Sequence, residues 1–586
     1  MNRDLFQGDQ LPEFIFAPRT DPIYNAHGYL TKVPVDGIIP HLMTFSVPGE
    51  TVVDMFAGSG MTAVAAKITG RNAVVSDISV LGKHIGEGYL ADVDAPEIAK
   101  VGSNVVARAR RRFKDLYQTD AAKGRQVEAI RTIWSFVYRC VSCAKEVVYF
   151  DMLKKNNWKT PSICPHCSQT FSKRSSTYIC DVPVLIVVPG EDGKQIELPV
   201  TKSDKKRIKR AEAHPDLAVV PSKAIHSDRE MYRRSALGKW DLKETKRFFS
   251  ARNALALYYL WDELNALHDR ETKKKLQFAF TAILPRASRR YQWSPQRPLN
   301  AATQTYYISP VYYEWNVFEL FERKIRASIR ADEEIRTRRA ALGLSKKTKQ
   351  EYVLCSAAKL KHLKDRSVDY VFTDPPFGSN LFYADMSLFH EAWLSQTTDD
   401  SEEAVIHTNG KRAEGANYRY EALLRAACEE AYRILKPGRF LSLVFGNSSG
   451  RVWSMVQQIL LSTGFEPRPV HVGILDKGQR SVKGLTSGFE GVSTLDLIVT
   501  VKKPESPIAQ QTPTNQRSIG DLIEDVVSEI DFHGHQTPSH VYLTVLKEAF
   551  EKQLPVDELH LAQIIDVLRK RNIQVDAKSG EFVTTA

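Results

Sequence analysis

The chain has 586 residues, of which 43% are hydrophobic and 26% charged, and its formal net charge at pH 7 is +12. This length predicts about three domains with ample apolar material for their cores. From the polar start and the lack of a long apolar run we expect neither a secretory signal nor a membrane span, and seven cysteines do not resemble a secreted disulfide framework. We therefore expect a cytoplasmic protein with no membrane partner.

Positive charge is concentrated in one part of the sequence. Residues 101–345 contain 46 Lys and Arg against 26 Asp and Glu, whereas the remainder contains 35 against 43. Solvated helices carry charge runs of either sign, so solubility is one explanation. The size of the contrast favours contacts with the phosphates of a nucleic acid.

The first motif is a strand that runs into a glycine turn, Val-Val-Asp-Met-Phe-Ala-Gly-Ser-Gly at residues 52–60. A helical pattern follows, and a second strand at residues 72–76 ends in Asp77. Glycines at such a junction let a ligand approach the backbone, and the acid is placed to bind the ribose hydroxyls of a nucleoside. The third glycine of a dinucleotide fingerprint is missing.

Two Cys-x2-Cys pairs follow, Cys140 with Cys143 and Cys164 with Cys167. This spacing is typical of tetrahedral zinc held by two knuckles, although four unrelated thiols are the alternative. Four thiolates leave no position for an activated water. We therefore expect one structural zinc in a ribbon at about residues 135–180.

The rest of the basic region predicts a hairpin and a helical part at about residues 240–345. Between them lies a basic run at residues 202–210. The basic run is either an exposed charged loop or a phosphate-contacting segment. Residues 289–315 mix cations with rings and predict either core packing or a surface for an extruded base. These side chains are Arg289, Arg290, Tyr291, Trp293, Arg297, Tyr306, Tyr307, Tyr312, Tyr313 and Trp315.

A short apolar strand at residues 368–373 ends in Asp374, Pro375, Pro376 and Phe377. The prolines fix the backbone at the carboxyl end of a strand, where open α/β sheets bind ligands. Asp374 and a proline carbonyl can accept the two hydrogens of an exocyclic amine while Phe377 stacks on its ring. By itself the tetrapeptide is equally compatible with a surface turn.

Beyond the tetrapeptide we expect a loop and helix in which Asn380, Tyr383 and Asp385 are candidates to contact the base or the cofactor. We expect Phe389 and Trp393 to pack on the sheet. Residues 399–403 predict a solvated acidic loop, and residues 477–484 a polar loop. Residues 502–517 read as a linker, and residues 518–586 predict a small, mostly helical domain that suits a winged helix.

Together, the glycine motif and Asp-Pro-Pro-Phe resemble the amino-group methyltransferases that use S-adenosylmethionine to methylate adenine N6 or cytosine N4 in DNA. Residues 27–34 are similar to the family segment that closes over the methionine end of the cofactor. Residues 353–357 are similar to the strand that contacts its adenine, although Ser356 stands where an acid is common. The basic insertion falls where one class of the family carries its target-recognition domain.

The resemblance implies that S-adenosylmethionine is bound by the following residues: Thr31, Lys32, Asp54, Phe56, Gly58, Gly60, Asp77 and Ser356. It implies a catalytic tetrapeptide of Asp374, Pro375, Pro376 and Phe377, with Asp374 and the Pro375 carbonyl orienting the amine. The expected fold is α/β, a Rossmann-like methyltransferase sheet at residues 1–100 and 346–505 with a zinc-ribbon and helical insertion at residues 101–345.

The expected activity is methylation of adenine N6 in duplex DNA by base flipping, in restriction-modification or phage defence with a separate protein as a candidate partner. Cytosine N4 of DNA is an alternative target, because both amines present two hydrogens to the same acceptors. A transfer-RNA guanine-N2 methyltransferase is a second alternative, since its motif is similar and a basic zinc protein suits RNA equally well. An inactive DNA-binding protein is a third.

Overall fold

The computed structural model divides into two compact units, described separately below. The core unit comprises Met1–Leu90, Arg330–Ser387 and Gln396–Ala586, and the inserted unit comprises Ala91–Ile329 and Leu388–Ser395. The described residues are 11–121, 125–240, 242–295, 306–379, 381–447, 449–478, 495–506, 518–529, 537–571, 573–575 and 582–583.

In chain order, the strands are β1 (Phe14–Phe16), β2 (Thr51–Asp54), β3 (Asn72–Asp77), β4 (Gln118–Asp120), β5 (Gln126–Glu128), β6 (Arg131–Arg139), β7 (Glu146–Val148), β8 (Thr177–Pro189), β9 (Gln195–Pro199), β10 (Val311–Trp315), β11 (Gln350–Leu354), β12 (Val368–Thr373), β13 (Leu435–Phe445), β14 (His471–Asp476), β15 (Leu495–Lys502), β16 (Gln574–Val575) and β17 (Phe582–Val583). The helices are α1 (Pro22–Ala26), α2 (Val35–Phe45), α3 (Met61–Thr69), α4 (Val80–Leu90), α5 (Ala95–Arg112), α6 (Tyr149–Lys155), α7 (Lys202–Glu212), α8 (Glu230–Arg234), α9 (Ala251–Asn265), α10 (Arg270–Thr281), α11 (Leu284–Ala287), α12 (Val317–Ala341), α13 (Tyr383–Glu391), α14 (Ala416–Ile434), α15 (Gly450–Thr463), α16 (Ile519–Glu529), α17 (Pro538–Glu551) and α18 (Leu561–Lys570). Short 3-10 turns span Pro215–Ala218, Leu237–Trp240, Thr245–Phe248, Asp400–Glu402 and Gly410–Ala413.

The core unit is built on a mixed eight-stranded sheet in the order β1-β14-β15-β13-β12-β2-β3-β11. Strand β15 runs antiparallel to its neighbours β13 and β14, and the other pairs are parallel. The central strands are apolar because both of their faces are covered, and all six residues of β12 are buried. The sequence prediction of an α/β fold with these strands is confirmed.

The strand order reverses between β2 and β12. From β2 the chain proceeds to β3 on one side, and from β12 it proceeds to β13 on the other. Tyr370 pairs with Val52 and Val371 with Val53, so the carboxyl ends of β2 and β12 lie next to each other. Open α/β sheets bind ligands at such a switch point. The glycine turn and the tetrapeptide both begin there.

The C-terminal helices α16, α17 and α18 pack into the same hydrophobic cluster as β13 and β15. Helix α17 contacts β14 and β15 directly. A β-carbon on Gly450 would lie 2.1 Å from the carbonyl oxygen of Val556, so only glycine permits this close approach at the start of α15. Strands β16 and β17 pair in an antiparallel manner after the helices, as the winged-helix prediction requires.

The inserted unit contains a second sheet in the order β10-β6-β8-β9, with β7 added to β6. The predicted hairpin is confirmed as β8 and β9, and the predicted helical part contains α9, α10 and α12. Phe389 and Trp393 belong to this unit, where Phe389 stacks on Phe249 and Trp393 meets the Phe280 ring edge-on. The prediction that these two rings pack on the core sheet is therefore wrong.

Among the helices of the described residues, none is both long enough and apolar enough to cross a bilayer.

His41 is fully buried in the core unit, where its ring lies 5.5 Å from Phe372 and 6.0 Å from His471. Burial, with a smaller contribution from His471, lowers the pKa of His41 to about 3. The folded protein therefore keeps His41 neutral at pH values where the unfolded chain protonates it. Protonation then stabilises the unfolded chain alone, so the free energy of unfolding decreases as the pH falls below about 6.5.

We predict that between pH 6.5 and 4 the wild type loses up to about 1.4 kcal/mol of stability per pH unit more than His41→Leu does. Unfolding of the two proteins measured across this range tests the prediction, with His268→Leu at an exposed position as control. Parallel pH dependences of the wild type and His41→Leu would contradict it.

Candidate functional site

A cleft of about 980 Å³, including the solvent space at its mouth, lies at the carboxyl edge of the core sheet. It is lined by nine of the twelve residues predicted to bind cofactor or target: Thr31, Lys32, Asp54, Phe56, Gly58, Asp77, Ser356, Asp374 and Pro376. Gly60, Pro375 and Phe377 are not among its lining residues. The structure thus brings together residues that are more than 300 positions apart in the sequence.

Asp54 joins the three elements that frame the cleft. Its carboxylate accepts hydrogen bonds from Thr62 Oγ1 on α3 (2.6 Å), Thr373 Oγ1 on β12 (2.9 Å) and the Phe56 backbone (3.1 Å). Burial raises the pKa of Asp54 to about 6, while these hydrogen bonds oppose the shift. Asp54 therefore holds the edges of β2 and β12 in register as well as lining the cleft.

The glycine turn is held open by side chains of β3 and β11. Asp77 accepts hydrogen bonds from the backbone N–H groups of Gly58 and Ser79, both at 2.8 Å. The Tyr352 hydroxyl donates to the Gly58 carbonyl at 2.6 Å. Gly60 has φ +78° and lies against α4, where a β-carbon would be 3.0 Å from the Gly86 Cα. Gly60 thus serves helix packing, whereas Gly58 faces the cleft.

The segment at residues 27–34 forms one wall of the cleft. The buried Lys32 ammonium donates to the carbonyl oxygens of His27 (2.7 Å) and Tyr24, and it lies 4.3 Å from the centroid of the Tyr24 ring. Thr31 Oγ1 is hydrogen-bonded to the Tyr383 hydroxyl at 2.9 Å. Lys32 therefore fixes the fold of this wall, and Thr31 links it to α13.

Asp374 is partly exposed to the cleft, but its Oδ1 atom is buried and has no hydrogen-bond partner among the described residues. Burial raises the pKa of Asp374 to about 8; Lys477 opposes the shift, and Asp496 and Asp54 reinforce it. An unpaired buried acceptor is costly unless a ligand supplies the missing donor. Asp374 is therefore poised for a hydrogen-bond donor that enters the cleft.

The remainder of the tetrapeptide is fixed by neighbouring side chains. The Pro376 carbonyl accepts a hydrogen bond from the Tyr420 hydroxyl (2.7 Å), and the Phe377 carbonyl accepts one from Asn447 Nδ2 (3.0 Å). The Phe377 ring is half-buried, with its centroid 5.0 Å from that of Phe445. Asn380, predicted to contact a base, lies outside the described residues.

Sequence reasoning missed Glu403, which also lines the cleft. It is buried, accepts a hydrogen bond from the Ala384 backbone at 3.0 Å, and has a pKa that burial raises to about 8. The prediction of a solvated acidic loop is therefore wrong for this residue. An acidic run of this kind carries no sequence signal that distinguishes a buried carboxylate from its exposed neighbours.

A buried ion pair between Lys477 and Asp496 was also missed. Both residues act electrostatically on Asp374, with Lys477 stabilising its charged form and Asp496 opposing it. Of the predicted polar loop at residues 477–484, the described part ends at Gly478.

The four predicted metal ligands come together in the inserted unit. Their sulfur atoms all lie within 4.8 Å of one another, and the Cys140–Cys167 and Cys143–Cys164 sulfur distances are both 3.9 Å. This separation suits a tetrahedral metal with bonds of about 2.3 Å and is far too long for disulfides of about 2.05 Å. The donor set therefore fits zinc.

The two halves of this cysteine cluster have the same backbone conformation. Each first cysteine donates its N–H to the carbonyl five residues later, and its own carbonyl accepts from the residue four later. Those fourth residues, Ala144 and Ser168, have φ of 59° and 58°. Two equivalent turns thus present paired thiolates, as zinc knuckles do.

The basic run predicted as a loop or phosphate contact is helix α7, which begins with a capping box at Thr201 and Asp204. Its two arginines are already paired with acids, Arg207 with Asp120 and Asp204, and Arg210 with Asp115. In the aromatic stretch, the rings of Tyr291, Tyr306, Tyr312, Tyr313 and Trp315 are buried, whereas Tyr307 is 45% exposed. Core packing therefore accounts for most of these rings.

Comparisons with known proteins bear on the core unit. Residues 14–90 match the family model of the N6/N4 methyltransferases, described as DNA methylases. The chain is similar to a candidate DNA modification methylase from Thermus thermophilus, with 18% identity over 30% of this chain and 62% of that chain and a TM-score of 0.16. It is also similar to a S-adenosylmethionine-dependent methyltransferase from Methanosarcina mazei, with 13% identity over 28% of this chain and 73% of that chain and a TM-score of 0.16.

The chain thus spans less than two thirds of the length of the Thermus protein. No curated protein sequence matches it. The family match covers the wall at residues 27–34, the glycine turn and Asp77, and it supports the resemblance of this stretch to the DNA amino-methyltransferases.

Proposed function

We propose that the protein transfers a methyl group from S-adenosylmethionine to adenine N6 in duplex DNA. The observation that carries the proposal is Asp374, which lines the same cleft as the glycine turn and whose buried Oδ1 has no hydrogen-bond partner among the described residues. The match of residues 14–90 to DNA methylases supports DNA as the substrate. The choice of adenine rests on the tetrapeptide beginning with aspartate.

The residues that line the cleft fit S-adenosylmethionine, which when bound supplies an electrophilic methyl group. Gly58 leaves room for a close approach to the backbone, and Asp77 and Ser356 supply polar groups for a nucleoside. Burial raises the pKa values of Asp54, Asp77 and Asp374, so a cationic sulfonium bound beside them would favour their ionised forms.

Asp374 and the Pro375 carbonyl would accept the two hydrogens of the target amine. This arrangement orients the nitrogen lone pair and stabilises the positive charge that grows on nitrogen as the methyl group is received. Asp374 Oδ1 can then take the departing proton. Because Asp374 lies inside the cleft, the adenine must leave the DNA stack to reach it. Phe377, held by Asn447, is the candidate for stacking on the extruded ring.

We predict that Asp374→Ala lowers methylation at least about 100-fold while S-adenosylmethionine still binds, because the amine loses its acceptor. The assay offers labelled cofactor with duplex DNA and with total transfer RNA, and mass spectrometry of the nucleosides identifies the methylated atom. Asp399→Ala, an exposed acid, is the control. N4-methylcytosine or methylated transfer RNA without N6-methyladenine would contradict the proposed substrate.

The raised pKa of Asp374 predicts the pH profile of the reaction. Only the ionised carboxylate is a full acceptor, so kcat/KM should rise about tenfold per pH unit up to about pH 8 and then level off. Asp374→Asn keeps an acceptor oxygen that does not titrate, so its residual activity should lack this limb. The same rising limb in Asp374→Asn would assign the titration to another group.

We also predict one zinc per chain at Cys140, Cys143, Cys164 and Cys167, required for the fold of the inserted unit. Chelation or Cys164→Ser should weaken binding of duplex DNA while leaving cofactor binding in place. Cys180→Ser, at an exposed cysteine outside the cluster, should change neither. Elemental analysis that finds no zinc in freshly purified protein would refute the prediction.

A further inference from the structure

Three arginines of the inserted unit converge on one indole ring. The guanidinium carbons of Arg131, Arg286 and Arg323 lie 4.8, 5.6 and 5.8 Å from the centroid of the Trp315 ring. We call these four residues the Trp315 cluster. Each cation is within the range at which the face of an aromatic ring attracts it.

The fold explains why these residues meet. Trp315 ends β10 and pairs directly with Arg131 on β6, which places both side chains on the same face of the sheet. Arg286 comes from α11, and Arg323 from the second turn of α12. Trp315 is only 7% exposed, so it forms a buried floor beneath cations that are partly exposed.

The cluster has more positive charge than its own surroundings neutralise. Arg323 forms an ion pair with Glu319, and Arg286 donates to the Tyr291 hydroxyl at 3.1 Å. Within the described ranges, no carboxylate oxygen lies within 4.0 Å of Arg131 or Arg286. Burial lowers the pKa of Arg131; Tyr313, Glu197 and Glu319 oppose the shift, and the like charge of Arg323 adds to it.

Several other arginines of the same unit are paired with acids, which makes the Trp315 cluster distinct. These pairs are Arg108 with Glu263, Arg110 with Glu128, Arg112 with Asp262, Arg210 with Asp115, Arg252 with Glu314 and Arg289 with Asp181. Three like charges that converge with only one ion-paired acid, Glu319, repel each other, and an external anion relieves that repulsion. The cluster therefore offers a site for an anion.

We propose that the Trp315 cluster binds the phosphodiester backbone of duplex DNA, and this inference rests on the proposed function. Guanidinium groups match phosphate oxygens through paired N–H donors, and a guanidinium stacked on a ring keeps its in-plane donors available. Arg131 and Arg286 supply the binding charge, and the rings of Trp315, Tyr313 and Tyr291 hold them in place. Such contacts add affinity without reading sequence.

The test compares two double variants of the full chain that remove equal charge. Arg131→Gln/Arg286→Gln disrupts the cluster, whereas Arg108→Gln/Arg112→Gln removes arginines that are paired with Glu263 and Asp262. Arg286 is exposed, so the single variant Arg286→Gln tests the cluster even if the Arg131 change impairs folding. Binding of a mixed-sequence duplex and of single-stranded RNA is measured over a range of salt, and S-adenosylmethionine binding reports on the core unit.

We expect the cluster variant to bind duplex DNA on the order of tenfold more weakly and to lower the salt slope of log K by about 0.9 per lost phosphate contact. The paired-arginine variant should resemble the wild type. Equal losses in both double variants, or a loss confined to RNA, would overturn the inference. The proposed function is judged separately by methylation of DNA by the wild type, which can succeed even if the cluster variant binds normally.

Discussion

The buried carboxylate of Asp54 is the interaction on which the site depends. It links β2 to α3 through Thr62 and to β12 through Thr373, two residues that are 311 positions apart in the chain. Replacing Asp54 would leave the buried hydroxyls of Thr62 and Thr373 without this partner, and replacing either threonine would remove a donor to the buried carboxylate. Each neutral group left unpaired costs about 1–3 kcal/mol. Because this junction fixes β2 against β12, the glycine turn and the tetrapeptide open into one cleft.

Burial gives the cleft its chemical character. It raises the pKa of Asp54 to about 6 and those of Asp374 and Glu403 to about 8, so ionising all three carboxyls in an empty cleft is costly. A cationic ligand lowers that cost, and so does a donor to Asp374. Ligand binding and ionisation of Asp374 are therefore coupled. Lys477, just after β14, lowers the pKa of Asp374, whereas its ion-pair partner Asp496 on β15 raises it.

In the inserted unit, the cysteine cluster and the charged side chains are separate features. The cysteine cluster closes two equivalent turns around a site with no open coordination position, which suits a structural role. Most of the paired arginines stabilise contacts within the unit, as Arg252 and Glu314 do in its interior. The net positive charge of residues 101–345 therefore overstates how many cations are left without an acid, and the Trp315 cluster is a place where charge stays incompletely neutralised.

The sequence by itself determined the motifs whose chemistry is local. Apolar strands that end at a glycine turn, an acid or two prolines predicted β2, β3 and β12, and the spacing of the cysteines predicted their cluster, because such short-range patterns depend on few neighbours. Only the tertiary structure decided the burial of Glu403, the packing of Phe389 and Trp393 within the inserted unit, and the merging of α16 to α18 with the core. It also decided which arginines are neutralised. These outcomes depend on partners far away in the chain, and no local pattern encodes which surface a side chain will meet.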